Sequence, residues 1–483
     1  MFRHMFLFLT LIWGIKCIVD TKDYRVAVVE YQRYYKSSQN FDNYRNVIKN
    51  LEPVDFIIFP EATLSTEAAI EVPNTDLTNC STTENTLESI ACLAREKSTY
   101  IIVNVYERIN CNSNEEGCSN KGFNTYNTDL VYGRNGSLIA KYRKWNLYGE
   151  VGVNKTETPE LVTFDTDKGT FGVFTCFDIQ FPSPALNLTK NGIKNFIFPN
   201  MWFSELPFLT SLQVQQMWAQ ENDVTLLSSG ANSMYVASGG SSIILGNREV
   251  LNMTIDPNLN STNPATVLVS LVPAHSSNDR VSFKDSTDTI DAMGKALDKM
   301  VLNPDNFKEY SSELVGRISG TTTREVCHSS LCCKFNINQT IQQDSTNSYV
   351  YRLVAYTGVR SFSGLYNGGI EVCGLVACTN ATDIMSCTER FPDYDSISWS
   401  VTFNNISITA NFKKSDSRIQ FPNSLLSSLR PLPPTETKWQ KLESGDNVQR
   451  EFSLLVPQTR LLTFAIYGRN FEEDSEPSTN FVY

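Results

Sequence analysis

Between residues 24 and 273 the chain alternates short apolar runs with amphipathic stretches. The runs at 25–29, 54–59, 100–105, 170–177, 195–199, 224–229 and 265–272 are rich in Val, Ile and Phe and have strand length. Residues 40–50, 83–97 and 211–222, which separate some of them, have helix-forming patterns. Apolar runs without strict alternation predict strands covered on both faces, and hence an α/β layer architecture around a buried sheet. The stretch 282–311 is more polar and reads as a linker, with a helix near 290–300 and a turn at Asn303-Pro304-Asp305. Beyond it, short alternating strands at 349–356, 369–376, 396–403 and 461–467 lie between Pro-, Ser- and Asn-rich turns. That pattern predicts a smaller, mostly β domain.

Composition agrees with folded protein: 483 residues, 41% hydrophobic and 19% charged, fit two or three domains. The net charge of -11, without a Lys and Arg cluster of the kind that follows a nucleic-acid backbone, argues against a nucleic-acid partner. Histidine narrows the chemistry further, because only His4, His275 and His328 are present. A Ser-His-Asp hydrolase, a Cys-His protease and a multi-histidine metal site are all disfavoured. No metal and no cofactor is expected.

Arg3 and His4 precede about ten largely apolar residues, the length of a signal-peptide core and too short to span a bilayer. A secretory signal peptide is expected at 1–17, cut after Cys17, although a cut up to Asp20 would also serve. No later run reaches membrane-spanning length, and the polar, acidic residues 468–483 predict neither a transmembrane helix nor a lipid-anchor tail. Sequons stand at Asn79, Asn135, Asn154, Asn187, Asn252, Asn260, Asn338, Asn380 and Asn405. The expectation is a soluble extracellular protein carrying N-linked glycans.

Of 12 cysteines, Cys17 leaves with the signal and 11 remain, an odd number for an oxidising compartment. Cys80, Cys92, Cys111 and Cys118 allow two bridges in the first half. Cys327, Cys332, Cys333, Cys373, Cys378 and Cys387 allow three in the second, with adjacent Cys332 and Cys333 taking different partners. Cys176 is left over. It ends the apolar run 169–176, where a strand gives way to polar and proline residues. A nucleophile at such an edge, followed by backbone N–H groups beginning at Phe177, suits acyl transfer. An unpaired cysteine in an apolar run is also simply a buried hydrophobe. Glu61, after the run 54–60, and Lys144, after 138–143, carry similar double readings: a capping or salt-bridging glutamate, and a member of a basic patch with Lys141 and Arg143.

Taken together, Phe59-Pro60-Glu61-Ala62-Thr63, Lys141-Tyr-Arg-Lys-Trp-Asn-Leu-Tyr148, Gly172-Val-Phe-Thr-Cys-Phe-Asp-Ile-Gln-Phe181 and Gly239-Gly-Ser-Ser-Ile243 resemble the vanin and biotinidase branch of the nitrilase superfamily. The second half is similar to that branch as well, through Val326-Cys-His-Ser-Ser-Leu-Cys-Cys333, Val372-Cys-Gly-Leu-Val-Ala-Cys378 and Leu462-Thr-Phe-Ala-Ile-Tyr-Gly-Arg469. The resemblance implies a nitrilase-type α-β-β-α sandwich at 18–281, the linker at 282–311 and a vanin-type cysteine-rich β domain at 312–483. It implies a Glu61, Lys144 and Cys176 triad supported by Glu150, with Phe177 N–H serving the oxyanion and Trp145, Met201 and Trp202 as apolar walls. Burial is expected to raise the Glu61 pKa, and Lys144 to favour the thiolate. The implied reaction is hydrolysis of a linear amide. Pantetheine, giving pantothenate and cysteamine, comes first among substrates, and biotin amides or esters second. The alternative outside enzymology is an inactive secreted glycoprotein that keeps the fold as a binding module.

Overall fold

The computed structural model describes residues 23–73, 80, 86–274, 285–342 and 347–476. The expected signal peptide, His275 and the sequon at Asn79 lie outside them. The first half contains two six-stranded sheets. One is built from β1 (Tyr24–Tyr31), β2 (Phe56–Ile58), β3 (Tyr100–Asn110), β4 (Phe123–Tyr132) and β5 (Leu138–Arg143), with Ala265–Val272 outside β1. The other orders β6 (Thr163–Thr166), β7 (Gly169–Val173) and β8 (Asn195–Asn200) beside Thr225–Gly230, Ser241–Leu245 and Val250–Thr254. Each sheet has three parallel strands at its centre, β1-β2-β3 in one and β7-β8 with Thr225–Gly230 in the other.

The apolar runs follow from this layering. In β1, Val26 and Val28 face the core between the sheets, while Ala27 and Val29 face a second core under helices α1 (Ser37–Asn50) and α2 (Thr86–Lys97). With both faces covered, alternation has nothing to encode. Between the sheets Tyr24, Phe56 and Phe171 pack ring on ring, with centroids 4.7 to 5.6 Å apart. Helix Ser211–Asn222 lies against the second sheet and is buried on nearly every side, because the second domain covers its outer face. Its glutamines find partners there: Gln213 donates to Asn423 Oδ1 at 2.6 Å and Gln216 to the Leu432 carbonyl.

The second domain is a sandwich of two five-stranded antiparallel sheets. The Cys333–Cys373 disulfide joins the two, tying strand Leu331–Ile341 to Tyr366–Cys378. The other bridges are Cys80–Cys92, Cys111–Cys118, Cys327–Cys332 and Cys378–Cys387, which leaves Cys176 as the free cysteine among the described residues. The segment read as a linker is packed rather than loose. It holds a helix at Thr287–Ala296, and its Phe307 and Tyr310 stack in the core with Phe208. The polar residues that suggested a tether lie on the exposed side of that helix, while Ile290, Leu297 and Met300 are buried.

Candidate active site

Four expected residues converge at one end of the two sheets. Glu61 stands three residues beyond β2, Lys144 directly beyond β5, and Cys176 three residues beyond β7. Met201 directly follows β8. Lys144 Nζ donates to Glu61 Oε1 at 2.8 Å and to Glu150 Oε1 at 2.6 Å. Met201 N–H donates to Glu61 Oε2 at 2.8 Å. Cys176 is 5% exposed and turns the chain at φ 48°, outside the usual range for a residue with a Cβ, at the start of a single helical turn. Ala62, directly after Glu61, is also left-handed, at φ 56°.

Two buried polar groups hold those bends. Asn104 on β3 accepts from Ala62 N–H at 2.8 Å and donates to Asn127 and Asp129 of β4 at 2.7 and 2.8 Å. Asp129 in turn accepts from the hydroxyl of Thr175, the residue before Cys176, at 2.6 Å. Asp178 accepts from Thr175 N–H at 3.0 Å, from Tyr142 OH at 2.6 Å and from Asn146 N–H at 2.9 Å. The first group ties the Glu61 bend to the Cys176 bend; the second ties the Cys176 bend to the segment carrying Lys144. Asn127 completes the frame, since its side-chain amide donates to Glu61 at 2.8 Å and to Glu150 at 3.1 Å while its main-chain carbonyl accepts from the main-chain N–H of Lys144 at 2.8 Å. Asn104, Asn127 and Asp129 were not singled out from the sequence.

Electrostatics here reverse the expected direction at Glu61, and at Cys176 Lys144 favours the thiolate as expected but is outweighed. Burial does push the Glu61 carboxyl up, but the Lys144 ammonium and the hydrogen bonds outweigh it, and the net shift is downward. The Cys176 thiol moves well above its ordinary value, first through burial and then through the Glu61 charge, which together outweigh Lys144. Lys144 stays protonated because Glu150 and Glu61 overcome its desolvation. The resting site is therefore a neutral thiol beside a carboxylate and an ammonium ion. Glu150, half-buried near Glu61, is shifted upward, chiefly by desolvation.

Cys176, Tyr148 and Phe203 are shared by two adjoining spaces. One is a polar crevice of about 180 Å³ that includes Glu61, Lys144, Glu150 and Met201. The other is a narrow slot of about 20 Å³ walled by Phe177, Trp202 and Phe362. Phe177 and Trp202 thus stand beside Cys176 as expected, whereas Trp145 lines neither space. Phe362 comes from the second domain, as does Ser363, whose Oγ lies 2.7 Å from Tyr148 OH. Gly149, at φ 67°, passes so close to Leu365 that an added Cβ would lie 2.9 Å from it. His328 is remote in role: its Nδ1 accepts from Thr357 N–H within the second domain. Of the nine sequon asparagines, the eight described ones are all at least partly exposed.

Similarity to known proteins extends over both halves. A carbon-nitrogen hydrolase family model matches residues 25–256, and a vanin C-terminal domain model matches 299–474. Vanin-like protein 1 of Drosophila melanogaster is 33% identical, covering 95% of this chain and 87% of its own. Pantetheinase of Homo sapiens is 29% identical, covering 80% of this chain and 71% of its own. Among solved structures, a nitrilase-superfamily member from Saccharomyces cerevisiae covers 53% of this chain and 91% of its own, at 20% identity and a TM-score of 0.42. With a one-third identical relative along almost its full length and family models matching both halves, the chain belongs to the vanin group of the carbon-nitrogen hydrolases, enzymes that cleave amide bonds.

Proposed function

We propose that this protein is a secreted pantetheine hydrolase that releases pantothenate and cysteamine through a thioester on Cys176. The observation that carries the chemistry is the Glu61–Lys144 pair at 2.8 Å, set beside a free cysteine on a left-handed bend. The 29% identity to pantetheinase supports the substrate. Five disulfides among the described residues fit an oxidising compartment. No described helix is long and apolar enough to cross a membrane.

The reaction follows from the resting charges. Glu61 is ionised and takes the proton of the Cys176 thiol as Sγ attacks the amide carbonyl, so no free thiolate has to form beforehand. Lys144 has three N–H donors and commits two to Glu61 and Glu150, which leaves one for the developing oxyanion beside Phe177 N–H. Glu61 then passes its proton to the departing amine, and the C–N bond breaks. Water enters where the amine left, gives a proton to Glu61 and attacks the thioester; the proton returns to sulfur as the acid is released. Glu150 holds Lys144 through a second hydrogen bond, at 2.6 Å.

The test is purified protein on pantetheine and on biocytin, beside Cys176→Ala. Release of cysteamine, lowered at least about 10³-fold by the alanine, is the expected result. Turnover of biocytin alone would move the assignment to biotin amides. Turnover of neither would favour an inactive binding module, and full activity of the alanine variant would remove Cys176 from the mechanism.

A further inference from the structure

Asp129 is fully buried on β4, and the reaction above gives it no proton and no bond to handle. Among the described residues no ion pair reaches it; the charged groups that face it are Glu61, beyond β2, and Asp178, beyond β7. Its polar neighbours are donors. The hydroxyl of Thr175 donates to Oδ2 at 2.6 Å and the amide of Asn104 to Oδ1 at 2.8 Å. A carboxylate buried without a cation costs stability, and a neutral side chain of the same size would avoid that cost.

The charge has work to do at both bends. A carboxylate accepts and never donates. Asn104 is therefore held with its NH2 toward Asp129 and its carbonyl toward Ala62 N–H, and its NH2 also meets Asn127 Oδ1 at 2.7 Å. That leaves the Asn127 NH2 for Glu61 and Glu150. Hydrogen-bond polarity fixed at Asp129 thus runs through two amides to the general base. On its other side Asp129 holds Thr175, the residue before the nucleophile. Burial first, and then the Glu61 and Asp178 charges, push the Asp129 carboxyl up to about 7 against its two hydrogen bonds. Tyr142 on β5 is affected by the same charge. The repulsion is mutual, so ionised Asp129 raises the basicity of Glu61 against the pull of Lys144. A proton on Asp129 removes that charge and forces the Thr175 hydroxyl to accept where it now donates.

We propose that Asp129 is a positioning residue that works as the carboxylate, holding the Glu61 and Cys176 bends in register and keeping Glu61 basic enough to take the thiol proton. This inference deepens the proposed function and rests on Glu61 as base and Cys176 as nucleophile.

The test is the pH profile of kcat for the full chain, taken on pantetheine and on biocytin. In the parent, kcat is expected to fall about 10-fold as pH drops through about 7, with KM little changed. Asp129→Asn is the isostere of the protonated form, and its kcat is expected to stay near the parent's low-pH level throughout. Thr175→Val is expected to lower kcat by a similar factor, and Thr175→Ser, which keeps the hydroxyl, to retain most of it. Stability gives a readout that needs no substrate. An aspartate with a folded pKa of about 7 and an unfolded one of about 3.9 loses stability as pH rises between those values. The thermal midpoint of Asp129→Asn is therefore expected to rise relative to the parent between about pH 5 and 8. A flat parent profile, a limb that survives in Asp129→Asn, or an Asn variant that melts lower at every pH with unchanged kcat would overturn the proposal. Should that variant fail to fold, equal kcat in Thr175→Val and Thr175→Ser would overturn it instead. The limb appearing on biocytin, with pantetheine uncleaved, would sink the pantetheine reading and leave Asp129 in place. Pantetheine cleaved with a flat profile would do the reverse.

Discussion

Asn127 touches three parts of the site at once, and its side chain is the polar link that Glu61 and Glu150 share besides Lys144. Replacing it with alanine removes one neutral donor from each carboxylate without adding charge. Asn127→Ala is expected to lower kcat by about 10- to 100-fold with KM little changed, because the loss falls on the alignment of Glu61 rather than on contact with substrate. A rise in KM at unchanged kcat would place Asn127 in substrate binding instead. The charges also predict a thiol titration. Glu61 is the second cause, after burial, of the high Cys176 pKa, and removing a neighbouring negative charge favours the thiolate. Followed by thiolate absorbance, the parent titrates above the ordinary thiol range, and Glu61→Gln shifts the midpoint downward while hydrolysis is lost. An unchanged or higher midpoint in the variant would contradict the charge assignment.

Strands and helices show why some of this was legible in the sequence and some was not. Cys176, Glu61 and Lys144 each follow a strand, and the runs before Glu61 and Cys176 are strongly apolar, so the change of character marks the position. β4 reads Phe-Asn-Thr-Tyr-Asn-Thr-Asp-Leu-Val-Tyr, and its buried positions include Asn127, Thr128 and Asp129. Placing the frame of the site inside a strand erases the hydrophobic signal by which strands are found, which is why β4 and its polar residues were missed together. The downward shift of Glu61 could not be read either, since it depends on a 2.8 Å contact with a residue 83 positions away. Helix Ser211–Asn222 offers a test at this scale. Its Glu221 pairs with Arg450 and accepts from Trp439 Nε1, both in the second domain. Glu221→Ala leaves the Arg450 guanidinium buried and without that carboxylate, an expected cost of about 3–5 kcal/mol. Thermal unfolding should begin lower by several degrees, with kcat per folded molecule unchanged; an unaltered transition would show that this pair does not hold the domains.

The molecule as a whole is a hydrolase fold whose site is finished by its second domain. Phe362 closes the slot, Ser363 holds Tyr148, and Leu365 presses on Gly149 beside Glu150. Disulfide Cys333–Cys373 braces the sheet that presents this hairpin. The shortage of histidine, which removes the familiar triads, leaves hydrolysis intact, because an ionised Glu61, a charged Lys144 and a neutral thiol supply base, oxyanion partner and nucleophile. The central claim is that the acyl group passes through sulfur at residue 176. Acid quench of the enzyme during turnover of pantetheine, followed by peptide mass spectrometry, tests it most directly. The account predicts a pantothenoyl thioester on the Cys176 peptide that is absent in Cys176→Ala; cysteamine release with no adduct, or an adduct on another residue, would contradict it.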